Sequence, residues 1–194
     1  MRTDTVTTEV FTFSELSDDA KQTAIENNHD INTDYEWYDF NYEDAKQIGE
    51  IMGIDIDRIY FSGFSSQGDG ACFEGSYSYE KGSVKNLKEY APKDEELHRI
   101  AQELQDIQRK HFYGITANVK HSGHYSHKYC TQINVDSETQ QELPEDEICE
   151  VLRDYMEWIY RSLEKSYDYL TSDESISETL EANEYEFTAD GNRY

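Results

Sequence analysis

The feature that most constrains this chain is its surplus of acid: 42 Asp and Glu stand against 17 Lys and Arg in 194 residues, a formal net charge of −25. Charge at this density usually keeps a chain unfolded, because self-repulsion is large and too little apolar surface is left to bury. Here 16 Tyr, 8 Phe and 2 Trp accompany periodic apolar runs, a content that predicts a folded protein with an anionic surface. The acid is also unevenly placed. Residues 1–53 hold 13 acids against 3 bases, 54–92 hold 6 against 4, 93–135 hold 5 against 6, and 136–194 hold 18 against 4. The two ends are therefore strongly acidic and the middle is nearly neutral.

The length suits one domain spanning 1–194, and two prolines with no low-complexity linker argue against a clean division. The first residues lack an apolar h-region and nowhere do 18 apolar residues run together, so the expectation is a soluble protein of the cytoplasm with no membrane contact. Cys72, Cys130 and Cys149 show no CxxC spacing, which fits free thiols in a reducing compartment. An acidic surface repels phosphates, so direct nucleic-acid binding is not expected. The partners that complement it are basic proteins or ribonucleoprotein complexes, above all those that handle nucleic acid.

The periodicities predict an α+β fold with an antiparallel or mixed sheet packed by amphipathic helices. A strand is expected over 5–13 and a helix from the Ser17 region to about residue 28. A second helix is expected over 34–52, with Trp37, Phe40, Ile48 and Ile51 or Met52 on one stripe and Gly53 closing it. Strands over 54–61 and 72–79 flank a glycine-rich connection, and helices over 83–90 and 93–111 follow. A second strand pair is expected over 115–119 and 129–135. A long helix over 144–170 is expected to face Ile148, Val151, Leu152, Tyr155, Ile159, Leu163 and Tyr167 inward. A short helix to residue 182 and a strand over 185–187 beside the first strand complete the chain.

Four features bear on chemistry. His121, His124, His127 and Cys130 form an HxxHxxHxxC run with the ligand types and number of a zinc site. Residues three apart in a strand face opposite ways, so such a site needs the turn at Gly123 to fold His121 back toward His127. The segment from Gly63 to Cys72 is rich in glycine but matches neither phosphate-binding fingerprint and has no lysine after it, which favours a tight loop held by Asp69. Asp55 and Asp57, two apart on a strand, can join Asp69 around a hard cation or act as an acid–base pair. Cys72 has no nucleophile signature around it.

The fourth feature is the acidic surface itself, seen in Glu36, Asp39, Glu43 and Asp44, and again in Glu145, Asp146, Glu147, Glu150, Asp154 and Glu157. Carboxylates four apart on a helix rise about 6 Å, and phosphates of one DNA strand advance about 3.4 Å per nucleotide, so helical acids can present a phosphate-like density to a basic groove. Aromatic residues are interleaved with them, and Trp37 and Trp158 are the candidate anchors, because exposed aromatics beside charge serve protein interfaces. The candidate partner contacts are Glu36, Asp39, Glu43, Asp154 and Glu157.

At Asp34-Tyr-Glu-Trp-Tyr38, Ile54-Asp-Ile-Asp-Arg-Ile-Tyr-Phe-Ser-Gly-Phe64, Gln67-Gly-Asp-Gly-Ala-Cys-Phe-Glu-Gly75 and His121-Ser-Gly-His-Tyr-Ser-His127, the chain resembles a family of acidic phage and prophage proteins. The likeness continues through Trp158-Ile-Tyr-Arg161, Tyr169-Leu-Thr-Ser-Asp-Glu174 and Asn183-Glu-Tyr-Glu-Phe187. Members are labelled loosely as antitoxins of a toxin–antitoxin stability system. The resemblance implies a mobile-element setting, where small acidic proteins bind and block host defence, as anti-CRISPR and anti-restriction proteins do. It brings no catalytic residue. The expected function is thus a non-enzymatic inhibitor of a host nucleic-acid-handling defence complex. The alternatives are an antitoxin for a basic toxin, and a zinc protein or enzyme built on His121 to Cys130.

Overall fold

The computed structural model describes residues 2–3, 7–137 and 143–194. They form β1 (Phe11–Thr12), a 3-10 turn (Phe13–Glu15), α1 (Asp18–Asn27), α2 (Asp39–Met52), β2 (Ile54–Ser62), β3 (Gly70–Ser78), α3 (Ser83–Tyr90), α4 (Glu95–Lys110), β4 (Ile115–His121), β5 (Thr131–Ser137), α5 (Glu145–Leu170), α6 (Asp173–Ala182) and β6 (Glu186–Phe187). The class is α+β. Residues Tyr38–Glu164 make one compact unit, and the chain up to Trp37 makes another with Lys165–Tyr194. Among the described residues no helix is long and apolar enough to cross a membrane.

The larger unit holds a four-stranded antiparallel sheet in the order β2-β3-β4-β5. Strand β4 alternates fully, with Ile115, Ala117 and Val119 buried and Thr116, Asn118 and Lys120 exposed, so one face of the sheet is covered and the other is polar. Helix α4 begins because Asp94 Oδ1 accepts from the Leu97 N–H at 3.0 Å, and it runs from acidic Glu95 and Glu96 to basic Arg109 and Lys110, each charge placed to suit the helix dipole. It buries Leu97, Ile100, Ala101, Leu104 and Ile107. Beside that stripe the Gln108 amide acts as a piece of strand, donating to the Ile115 carbonyl at 2.6 Å and accepting from the Ile115 N–H at 3.1 Å. Helix α5 buries Ile148, Val151, Leu152, Tyr155, Met156, Ile159 and Leu163, a 3.6-residue stripe, and the Tyr155 hydroxyl donates to the Ala45 carbonyl of α2.

The smaller unit packs Phe13, Leu16, Ala20, Ala24, Ile25, Ile176, Leu180 and Phe187 around the antiparallel β1–β6 pair. Buried Asn32 ties it together, donating to the Leu170 carbonyl at 3.0 Å and to Ser175 Oγ at 3.1 Å, and accepting from Thr179 Oγ1 at 2.8 Å.

Two expected elements differ. The strand expected over 5–13 is reduced to Phe11–Thr12, with Thr5 and Val6 outside the described residues. The chain turns immediately afterwards, because the Thr12 N–H donates to the Glu15 carboxylate at 2.8 Å. That bond also lowers the Glu15 pKa. Helix α2 begins at Asp39 rather than 34, and Phe40 is 82% exposed instead of lying on the core stripe. The stripe is Ala45, Ile48 and Met52, with Gly49 beside it, and the preceding residues turn, with the Trp37 N–H on the Tyr35 carbonyl at 2.8 Å.

Between Ile56 and Arg58 the β2–β3 register shifts, leaving Asp57 as an extra residue on β2, a β-bulge. Opposite it, a Cβ added at Gly75 would lie 2.0 Å from the Asp55 carbonyl oxygen. Gly75→Ala is expected to lose about 2–3 kcal/mol, read as a lower urea midpoint. Gly123→Ala, whose Cβ meets nothing within 4 Å although φ is +106°, is expected to lose about 1 kcal/mol. Equal losses at the two positions would contradict the close approach assigned to Gly75.

Candidate interaction surface

A ladder of aromatic rings joins the start of α2 to the end of β2, the following loop and α5. Tyr38 lies tilted on Tyr42 at 4.9 Å and edge-on to Phe61 at 5.3 Å, Phe61 stacks on Phe64 at 5.8 Å, and Phe64 stacks on Tyr160 at 5.5 Å. All five rings are half-buried, so each keeps one part in packing and offers the rest to solvent. The ladder is positioned twice over. Asn41 Nδ2 on α2 donates to Ser162 Oγ of α5 at 3.0 Å, and the Tyr160 hydroxyl donates to the Gly63 carbonyl at 3.2 Å. The loop that carries Phe64 is closed by Asp69, whose Oδ2 accepts from the N–H groups of Ser65 at 3.0 Å and Ser66 at 2.7 Å, the bonding of an Asx-type turn.

Carboxylates surround these rings. Burial first, then the charges of Glu164, Asp69 and Glu157, push the Tyr160 phenol above its ordinary range. Tyr42 is raised by burial, with Tyr38 and Asp39 adding to it. Asp39 and Glu43 are exposed one turn apart on α2, and among the described residues no Lys or Arg lies within ion-pair distance of either. Exposed Glu36 is likewise unpaired but belongs to the smaller unit, where Trp37 is half-buried against Tyr167 at 5.8 Å.

Asp154 and Glu157, the partner contacts expected on α5, are engaged instead. Asp154 pairs with Arg99 at 2.8 Å, and Glu157 with Lys128 at 3.2 Å and Arg161 at 3.9 Å. Trp158 is a positioning residue rather than an exposed anchor: its Nε1 donates to Asp94 Oδ2 at 2.9 Å and its ring stacks on Tyr155 at 5.8 Å. Asp44 accepts from the Tyr90 hydroxyl at 2.7 Å. The cations gather in a cleft of about 620 Å³ along α4 and α5, where Lys128 and Arg153 approach the Tyr129 ring at 5.6 and 5.4 Å.

The turn at Gly123 does not bring the four donors of the histidine run together. His121 stacks on Tyr60 at 4.4 Å with its Nε2 2.9 Å from the Tyr125 carbonyl. His124 is exposed, and only His127 and Cys130 approach each other, at 3.6 Å. Among the described residues no three His, Cys, Asp or Glu side chains are placed to hold a metal ion, which covers Asp55, Asp57 and Asp69 as well. Zinc takes three or four such ligands, and the run brings two of them, His127 and Cys130, within reach of each other. Cys72 is fully buried, and burial, followed by the Cys130 and Glu74 charges, pushes its thiol up to about 12; a nucleophile needs the opposite shift.

The chain belongs to DUF8835, a domain of unknown function, whose family model matches residues 37–173. That stretch contains the whole ladder with Asp39 and Glu43. No curated protein matches the chain, and no solved structure does.

The raised thiol has two measurable consequences. With iodoacetamide at mildly alkaline pH, Cys72 stays unmodified in the folded protein while the half-buried Cys130 reacts, and modification of Cys72 at the same rate would contradict its burial. Because its folded pKa of about 12 exceeds the free value of 9.0, the unfolded chain loses this proton first. The Cys72 contribution to stability is therefore complete below pH 9.0 and is lost progressively up to about 12. The increment should vanish in Cys72→Ala, measured as the pH dependence of the denaturation midpoint.

Proposed function

We propose that this DUF8835 member is a non-enzymatic inhibitor of phage type, acting in the bacterial cytoplasm, that binds a basic nucleic-acid-handling defence protein or ribonucleoprotein complex and blocks its nucleic-acid site. One observation carries the reading. The half-exposed ladder Tyr38–Tyr42–Phe61–Phe64–Tyr160 is rimmed by carboxylates, and among the described residues no Lys or Arg lies within ion-pair distance of Asp39 or Glu43. Aromatic rings supply rigid, desolvating contact area, and arginine side chains of a partner both stack on such rings and pair with the carboxylates between them. A net charge of −25 adds long-range steering toward a basic target and repels the nucleic acid that competes for it. The resemblance to acidic phage proteins supplies the setting.

The test is affinity capture from host lysate at low and high salt, with the bound proteins identified by mass spectrometry. A basic nucleic-acid-handling protein or complex, released by salt, is expected. Combined Asp39→Asn, Glu43→Gln and Glu164→Gln should weaken the isolated complex about tenfold or more, and Phe64→Ala should add a loss that salt does not mimic. Unchanged affinity in the triple variant would overturn the surface assignment. Capture of a basic toxin would replace the proposed target.

A further inference from the structure

We propose that β5 is a self-association edge, through which two copies of this chain pair antiparallel about Asn134 into one continuous sheet. The sheet has two outer strands, and they are built differently. On β2 the extra residue Asp57 breaks the register, and Asp55, Asp57 and Arg58 are exposed; bulges and charges of this kind are how edges are protected from pairing. Strand β5 pairs with β4 at all seven positions without a shift, and among the described residues no strand pairs along its other side. Its sequence, Thr-Gln-Ile-Asn-Val-Asp-Ser, has no proline, glycine or cation and one carboxylate.

The occupant follows from the register. A two-fold axis at Asn134, normal to the sheet, sets Ile133 opposite the copy's Val135, Gln132 opposite its Asp136, and Asn134 opposite itself. Side chains of equal parity share a face in an antiparallel pair, so the apolar pair falls on the helix-covered side and the polar pairs on the open side. Ile133 and Val135 are only half-buried, whereas their β4 partners Val119 and Ala117 are buried. The core layer thins at this edge, and a second copy completes it. Electrostatics allow the contact here. The one carboxylate of β5, Asp136, falls opposite the copy's neutral Gln132, so no like charges stand opposite each other across the pair.

The remaining repulsion between two highly charged copies acts at long range and is screened by salt. Self-association should therefore strengthen with salt, opposite to the response expected of the acidic surface. Sedimentation equilibrium at about 0.05 M and about 0.5 M NaCl is expected to give a mass nearer two chains at the higher salt. Asn134→Lys, at an exposed position, should return the monomer with an unchanged near-ultraviolet spectrum. Asn134→Cys should form an intermolecular disulfide on oxidation, because the axis sets the two positions side by side, whereas Asn118→Cys, one strand inward on the same face, and the unaltered chain should not. A monomer at both salts, or equal cross-linking at 118 and 134, would overturn the proposal. A monomer whose Asn134→Lys variant loses a captured protein would assign the edge to that partner instead of a second copy. The inference does not rest on the inhibitor reading: a monomer that still captures a basic protein through its acids overturns this proposal alone.

Discussion

A fully buried phenol has to find an acceptor, and the larger unit is arranged around one. Tyr155, midway along α5, donates to the Ala45 carbonyl of α2, meets Phe73 of β3 edge-on at 6.2 Å, and stacks on Trp158. Trp158 in turn reaches Asp94, the residue that caps α4. One side chain thus connects three helices and the sheet. A buried hydroxyl without a partner costs about 1–3 kcal/mol, so the position of α2 against α5 is fixed by a polar requirement as well as by apolar area. At the start of α2, Tyr38 and Tyr42 meet Phe61, and Phe64 beside it meets Tyr160 of α5.

The excess charge is tolerated because it is divided by use. Along α4 and α5 the acids meet most of the available bases: Glu96, Glu103 and Asp154 share Arg99, while Glu157 meets Lys128 and Arg161. Exposed pairs of this kind contribute little stability each, but they lower local repulsion where two helices run side by side. Among the described residues Asp39, in the first turn of α2, meets no Lys or Arg. Its exposed carboxylate stands beside the rings of the aromatic ladder.

What the sequence discloses and what it hides differ in physical kind. Core spacing in α4, alternation in β2 and β4 and the Gly53 stop are local patterns, and each is visible along the chain because burial repeats with the geometry of the element. Phe40 shows the limit. Its spacing from Ile48 suits a helical stripe, but at about 100° per residue it falls well away from the line of Ala45, Ile48 and Met52 that α2 buries, and it faces solvent. The aromatic ladder was hidden for a different reason. Tyr38, Phe61, Phe64 and Tyr160 come from four separate segments, and only the tertiary fold stacks them, although the density of aromatics beside acids hinted at a surface. In the histidine run ligand type and number are legible from the sequence and placement is not: His121 lies against Tyr60 and a carbonyl, and His124 faces solvent.

The loop between β2 and β3 shows how charge can be built in rather than bound. Glycine-rich turns that expose successive backbone N–H groups are made to receive an anion, and two of the N–H groups here already hold one, the carboxylate of Asp69. The loop is a cradle with a resident anion that cannot dissociate. A free phosphate entering it would have to displace a charge tethered by the chain itself, at an effective concentration no solute reaches. Phe64 is consequently carried by a segment that the chain orders for itself, and the entropy of immobilising that segment is spent in folding.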